Sequence, residues 1–211
     1  MESIFDKSAA SWDDKPERIK MAQNHFNSIV NTFNFSKTTV LDYGCGTGLL
    51  SIPLSRICKE VHAWDSSVEM RHVITEKIKK ENISNIKVAG FEEEINSYKH
   101  NYNYVLMSMM LHHVDDYHSH LKKMKELLLP GGLVVVIDLA KEDGGFHKDN
   151  TGVFHFGFST EDMFNAFEFA GYSDCQYSVI QSVERESKDN TLKSYDIFLA
   201  SGRNNHQNQT S

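Results

Sequence analysis

Cysteine is scarce in this chain: Cys45, Cys58 and Cys175 are the only three in 211 residues. They are too few and too scattered for a disulfide framework or a cysteine metal pair, and no metal site is expected. An odd count with no N-terminal apolar segment suits a reducing, cytoplasmic setting. Long apolar runs are missing too, and none approaches the roughly 20 residues that a membrane-crossing helix needs. Positive charge is also in deficit: 22 Lys and Arg stand against 29 Asp and Glu, for a formal charge of −7. Holding nucleic acid requires concentrated Lys and Arg, so neither a nucleic acid nor a membrane is expected as partner. The lysines that do cluster, Lys77, Lys79 and Lys80 and then Lys122, Lys123 and Lys125, sit at helical spacing and read as solvated helix faces. No internal repeat is visible. The length suits one α/β domain rather than two, expected over residues 1–203 with a polar, disordered tail at 204–211.

What is present centres on Thr39–Ser51, where a β-branched and apolar stretch runs into Gly44, Gly46 and Gly48 and an apolar helical pattern follows. A strand ending in a glycine turn that opens a helix offers bare backbone N–H groups and close main-chain approach to a ligand. The spacing is G-x-G-x-G. A dinucleotide fingerprint places its third glycine where this chain has Leu49, so a pyrophosphate is not the expected ligand. Nor does a Gly-Lys-Ser/Thr follow, which excludes a P-loop.

Asp42-Tyr43-Gly44-Cys45-Gly46-Thr47-Gly48 resembles the first motif of the class I S-adenosylmethionine-dependent methyltransferases. Asp65 closes the apolar strand after it, 23 positions beyond Asp42, where an acidic residue of a βαβ unit meets ribose hydroxyls. Tyr104–Val114 and Leu127–Val136 look like the family's fourth strand and its helix–turn–fifth-strand passage. Together the similarity spans about Asp6 to Ala200. It implies a doubly wound, Rossmann-like α/β fold with seven mostly parallel strands, an antiparallel C-terminal edge hairpin and helices on both faces.

A coarse reading agrees with that order. Pro16 to about Phe33 is expected as an amphipathic helix capped by Asp13 or Asp14, and residues 1–35 as a helical cap over the cofactor cleft. Strands are expected at Thr38–Tyr43, Glu60–Asp65, Ile86–Ala89, Tyr102–Ser108 and Leu133–Leu139. Helices are expected at Gly48–Cys58, at Val68–Glu81 with Ser66 or Ser67 as cap, and at about Tyr117–Leu129, stopped by Pro130-Gly131-Gly132. Residues 140–159 read as a long irregular segment carrying four phenylalanines, which is usually functional or mobile. A helix with a capping box starts at Ser159, and strands near Cys175–Val183 and Ser194–Ser201 pair as the edge hairpin.

The resemblance implies S-adenosylmethionine as cofactor, a small molecule as methyl acceptor, and a monomer or homodimer. Cofactor contacts are expected from Asp42, Gly44, Cys45, Gly46 and Gly48, from Asp65 and Ser66, from Phe91 and Glu92 near the adenine, from Ser108 and Met109 after strand four, and from Trp12. Phe91 stands where the family usually has an acidic residue. Transfer from a sulfonium needs alignment and exclusion of water, and a base only if the acceptor arrives protonated. His113, His147 and His155 are the catalytic candidates, with Asp138 beside them, while His112 and His113 also read as structural. Trp12 and Phe154–Phe158 are expected to fold over the cofactor cleft. Two other readings stay open: a non-catalytic module that binds S-adenosylmethionine, and a nicotinamide oxidoreductase on a related sheet.

Overall fold

The computed structural model describes residues 3–90, 101–186 and 191–205. The chain divides into two compact units, Met1–Leu106 and Met107–Ser211.

In the first unit, α1 (Ile4–Ser8) and a 3-10 segment (Ala9–Asp14) precede α2 (Pro16–Thr32). Then follow β1 (Thr39–Tyr43), α3 (Ser51–Ser55), β2 (Glu60–Trp64), α4 (Val68–Lys80), β3 (Ile86–Ala89) and β4 (Tyr102–Ser108). The strands are parallel, with Val40 opposite both Val61 and Tyr104, and Val61 opposite Ile86. Val40, Leu41, Val61 and Ala63 are fully buried, with Leu54 and Ile74 of the helices, as expected when both faces of a parallel sheet are covered.

The second unit holds a 3-10 turn (Leu111–His113), α5 (Tyr117–Leu127), β5 (Leu128–Leu139), α6 (Thr160–Ala170), β6 (Ser173–Glu186) and β7 (Leu192–Arg203). Ser159 and Asp162 form the expected capping box of α6, and Gly171 ends that helix in the left-handed conformation. β7 pairs antiparallel with β5 and β6, so Ala200 faces Val136 on one side and Tyr177 on the other. Across the sheet the order is β3-β2-β1-β4-β5-β7-β6. That is the mostly parallel, doubly wound sheet with an antiparallel edge hairpin implied by the sequence.

Several boundaries differ for physical reasons. The helix expected over Gly48–Cys58 is only Ser51–Ser55, because Gly48 has φ +84° and Pro53 has no N–H to extend the ladder. Pro130-Gly131-Gly132 does not separate helix from strand. β5 starts at Leu128, and the Gly131 N–H donates to the Asn204 carbonyl at 2.6 Å while the Asn204 N–H donates to Gly132 at 2.8 Å. Asn204 is therefore no tail residue: it is buried, and its amide donates to the Leu128 carbonyl. α2 begins after Lys15 without a side-chain cap, since Asp13 is engaged elsewhere. Among the described residues no helix is long and apolar enough to cross a membrane.

Candidate functional site

In the first unit β1 delivers the glycine turn beside the end of β2. Gly44, Gly46 and Gly48 all have positive φ, at +80°, +54° and +84°, which explains the three glycines. The expectation of bare N–H groups is corrected. Gly44 and Cys45 donate to the Trp64 carbonyl at 2.8 and 2.9 Å, Gly46 to the Asp65 carboxylate at 2.7 Å, and Gly48 to the Cys45 carbonyl at 3.0 Å. A turn whose amides are already engaged does not cradle a phosphate.

The glycines also differ in role. A Cβ on Gly48 would lie 2.6 Å from Ile74, so Gly48 permits α4 to pack on the turn. A Cβ on Gly46 would meet nothing nearer than the Met70 sulfur at 4.0 Å, leaving room for a ligand against the main chain.

Asp42 is buried and accepts from the Ser51 hydroxyl at 2.5 Å, so it orients the turn from beneath. Burial pushes its carboxyl up to about 6, the Ser51 bond opposes that, and the Asp65 charge adds to it. Asp65 accepts from the Gly46 N–H through one oxygen and from the Ser67 N–H at 2.8 Å through the other. Burial raises its carboxyl, against the pull of those two bonds and of Arg71. The expected alternatives for Asp65 are thus compatible: it caps the turn, and each carboxylate oxygen keeps acceptor capacity for a hydroxyl. Ser66 is exposed; its carbonyl and that of Asp65 accept from Arg71 at 3.1 and 2.6 Å. Burial, with the charges of Asp42 and Asp65, pushes the Cys45 thiol well up, so it stays protonated. Phe91 and Glu92 lie outside the described residues.

The N-terminal segment is fastened in a way that residue order alone does not reveal. Asp6 accepts from the Ser67 hydroxyl at 2.6 Å, and bonds from Ser67 and Ser3 hold its carboxyl well below the usual range. Asp13 accepts from the Thr47 hydroxyl at 2.6 Å, and the Lys77 ammonium reaches both Asp13 and the Thr47 carbonyl. Lys77 is therefore no solvated face residue. Trp12 is half-buried between Phe5, with ring centroids 6.1 Å apart, and the Arg18 guanidinium 3.5 Å over its ring. The signal was present in Phe5-Asp6 and Trp12-Asp13, whose carboxylates act as the pins.

In the second unit Met109 adopts φ +53°, rare for a side chain of this size, with its N–H donating to Ile137 at 2.8 Å. Ser108 is half-buried just before it. His112 and Asp138, rather than His113, form the central pair. His112 Nδ1 lies 2.6 Å from one Asp138 oxygen, and the His112 backbone N–H donates to the other at 3.2 Å. Leu139 adds a backbone N–H at 2.7 Å. Burial alone would raise the Asp138 carboxyl, but the imidazole and these bonds outweigh it and hold it below its ordinary value.

The expected bases are arranged around that pair. The His113 Nδ1 donates to the Gly152 carbonyl at 2.7 Å, and burial together with His112 lowers its affinity for a proton. The His147 ring lies 5.0 Å from His112, and burial, with the neighbouring His112, His113 and Arg185, pushes it down to about 4. His155 is different: its Nε2 donates to the Val114 and Asp115 carbonyls at 3.0 and 2.9 Å, which removes that nitrogen from proton chemistry. Of the four phenylalanines, Phe146 and Phe158 belong to the core, whereas Phe154 and Phe156 are exposed.

The methyltransferase domain family matches residues 15–187. An uncharacterized methyltransferase of Schizosaccharomyces pombe is 28% identical over 179 residues, covering 77% of this chain and 63% of that protein. A demethylmenaquinone methyltransferase of Staphylococcus aureus is 35% identical over 108 residues, covering 49% of this chain and 44% of that protein. The chain thus spans less than two thirds of either relative. A solved S-adenosylmethionine-dependent methyltransferase from Aquifex aeolicus shares the fold, with TM-score 0.67 and 22% identity over 92% of this chain and 95% of that one.

Proposed function

Because the chain belongs to the methyltransferase domain family, we propose that it is an S-adenosylmethionine-dependent methyltransferase acting on a small molecule. The observation that carries this reading is the Gly46 turn. Its main chain is open to close approach, its amides are turned away from any phosphate, and Asp65 is anchored beside it with acceptor capacity to spare. These features fit a ligand that combines a ribose with an amino-acid end and lacks a pyrophosphate.

In this reading Gly44, Gly46 and Gly48 shape the floor, Asp65 takes the ribose hydroxyls, and Asp42 holds the turn through Ser51. Trp12, on the segment that Asp6 and Asp13 fasten, excludes water on the same side. When bound, the sulfonium supplies a methyl group that is already activated, so these residues need only bind, orient and keep the ligand dry. A small acceptor is supported by the likeness to a demethylmenaquinone methyltransferase.

Calorimetry tests the assignment. S-adenosylhomocysteine should bind, and NAD should not; tighter binding of NAD would sink it. A non-catalytic binding module is distinguished by incubating the protein with methyl-labelled S-adenosylmethionine and a metabolite extract. Label found in no product would favour the module.

A further inference from the structure

Gly90, just past the end of β3, is a glycine that its own backbone does not require. Gly44, Gly46 and Gly48 stand in the left-handed region, and Gly90 does not. What excludes a side chain there is Arg71 of α4. A Cβ on Gly90 would lie 2.2 Å from the Arg71 guanidinium carbon, 2.3 Å from Nη1 and 2.5 Å from Nε. Carbon atoms in contact rest about 3.5–4.0 Å apart. The guanidinium thus crosses the end of β3 through space that any side chain at position 90 would fill.

Its destination is the turn after β2. Arg71 Nη1 donates to the Asp65 carbonyl at 2.6 Å and to the Ser66 carbonyl at 3.1 Å, and a cationic donor makes such bonds strong. The Asp65 N–H donates to the Ala89 carbonyl at 3.2 Å. The main chain that aims the Asp65 carboxylate is therefore fastened by β3 on one side of the residue and by Arg71 on the other. Among the described residues, the titratable groups acting on that carboxylate are Asp42 and Cys45 at the end of β1, Asp6 of α1 and Arg71 of α4. Of these only Arg71 is positive, and it opposes the burial that raises the Asp65 carboxyl. One side chain thus acts on both the direction and the charge of the group assigned to the ribose hydroxyls.

We propose that Arg71 is a positioning residue for the ligand, holding Asp65 in place for ribose, and that Gly90 lacks a side chain so that the guanidinium can pass. The inference rests on the methyltransferase reading above. Arg71 acts through Asp65, not on the transferred methyl group.

The test is calorimetry with S-adenosylhomocysteine on the full chain across pH, with urea unfolding of every variant. Arg71→Met keeps an apolar stem and removes the guanidinium. It should weaken the ligand about tenfold, as for a lost charge-assisted bond, in a protein that still folds. Without the positive charge Asp65 takes up a proton more readily, so the loss of binding toward acid should move to higher pH. Gly90→Ala should do the same, because the atoms it meets are the far end of a flexible side chain that can be displaced without unfolding the domain. Once the guanidinium is gone the alanine has room, so the double variant should bind as Arg71→Met alone does.

A merely structural clamp would lower urea stability and leave the pH profile of binding unmoved. That outcome, unchanged affinity in Arg71→Met, or two effects that multiply in the double variant would overturn the proposal. If Arg71→Met does not fold, the affinity and pH profile of Gly90→Ala decide alone. Failure of the wild type to bind S-adenosylhomocysteine removes the methyltransferase assignment, whereas binding by the wild type with unaffected variants removes only the role of Arg71.

Discussion

Asp42 and Asp138 are both carboxylates buried in strands of the sheet, one on β1 in the first unit and one on β5 in the second, yet their protonation runs in opposite directions. Asp42 faces a neutral Ser51 hydroxyl and a second carboxylate, so burial wins and its carboxyl rises to about 6. Asp138 faces an imidazole and two backbone N–H groups, which outweigh burial. Equal burial thus leads to unequal chemistry, and the partner decides. The same contrast separates the two candidate sites. Around the glycine turn, the amides of Gly44, Cys45, Gly46 and Gly48 are satisfied internally and what is offered is space. Around His112, buried side-chain nitrogen and oxygen atoms, among them His112 Nε2 and His147 Nε2, have no hydrogen-bond partner.

The comparison can be broken most severely at Asp138. Asp138→Ala would strand the His112 Nδ1–H and two backbone N–H groups in the core, and should cost about 3–5 kcal/mol in urea unfolding. A loss under about 1 kcal/mol would mean that the pair is not buried as described.

The glycines come next. Gly48→Ala places a methyl against Ile74 at a strained φ, and should cost about 2–4 kcal/mol from overpacking and left-handed strain together. Gly46→Ala carries only the strain, about 1–2 kcal/mol, but should abolish S-adenosylhomocysteine binding in a folded protein. Similar stabilities for the two variants would erase the distinction between a packing glycine and a ligand glycine.

Acid titration sharpens the aspartate contrast. With a folded pKa raised from 3.8 to about 6, Asp42 binds its proton more tightly in the native state. Its contribution is therefore fully present below 3.8 and is lost as pH rises to about 6, by up to about 3 kcal/mol. Asp138 has the opposite sign: its lowered pKa stabilises the fold above the unfolded value and is lost as pH falls through the folded one. Unfolding free energies against pH should show Asp42→Asn without the decline between those values, and Asp138→Asn without the loss toward acid. Superimposable profiles for the two variants would refute the assignment of direction.

Asp65→Ala is expected to act on ligand affinity and to leave the fold in place. Loss of charge-assisted bonds to ribose should weaken S-adenosylhomocysteine by about ten- to a hundredfold, about 1.5–3 kcal/mol, in a protein that still folds. Unchanged affinity by calorimetry would leave Asp65 as the turn's cap alone.

Much of this was legible from residue order. The apolar runs at Val40–Leu41 and Leu133–Ile137 identify strands buried on both faces, and β3 and β4 fall where expected, at Ile86–Ala89 and Tyr102–Ser108. Boundaries failed where a backbone bond came from far along the chain: Asn204, remote in sequence, draws Gly131 and Gly132 into β5. Residue type alone points to His113, His147 and His155 as bases, because histidine titrates near neutrality, but it does not say which ring meets a carboxylate.

By itself, then, the sequence determined the order of strands and helices, the G-x-G-x-G turn and the position of Asp65. These depend on local propensity, periodicity and spacing, which residue order encodes directly. Only the tertiary structure decided that the turn's amides face Trp64 and Asp65, that Asp6, Asp13 and Lys77 fasten the N-terminal segment, and that His112 rather than its neighbour meets Asp138. Each of those depends on groups 19 to 64 residues apart meeting within hydrogen-bond reach, and such distances are set by packing, not by spacing along the chain.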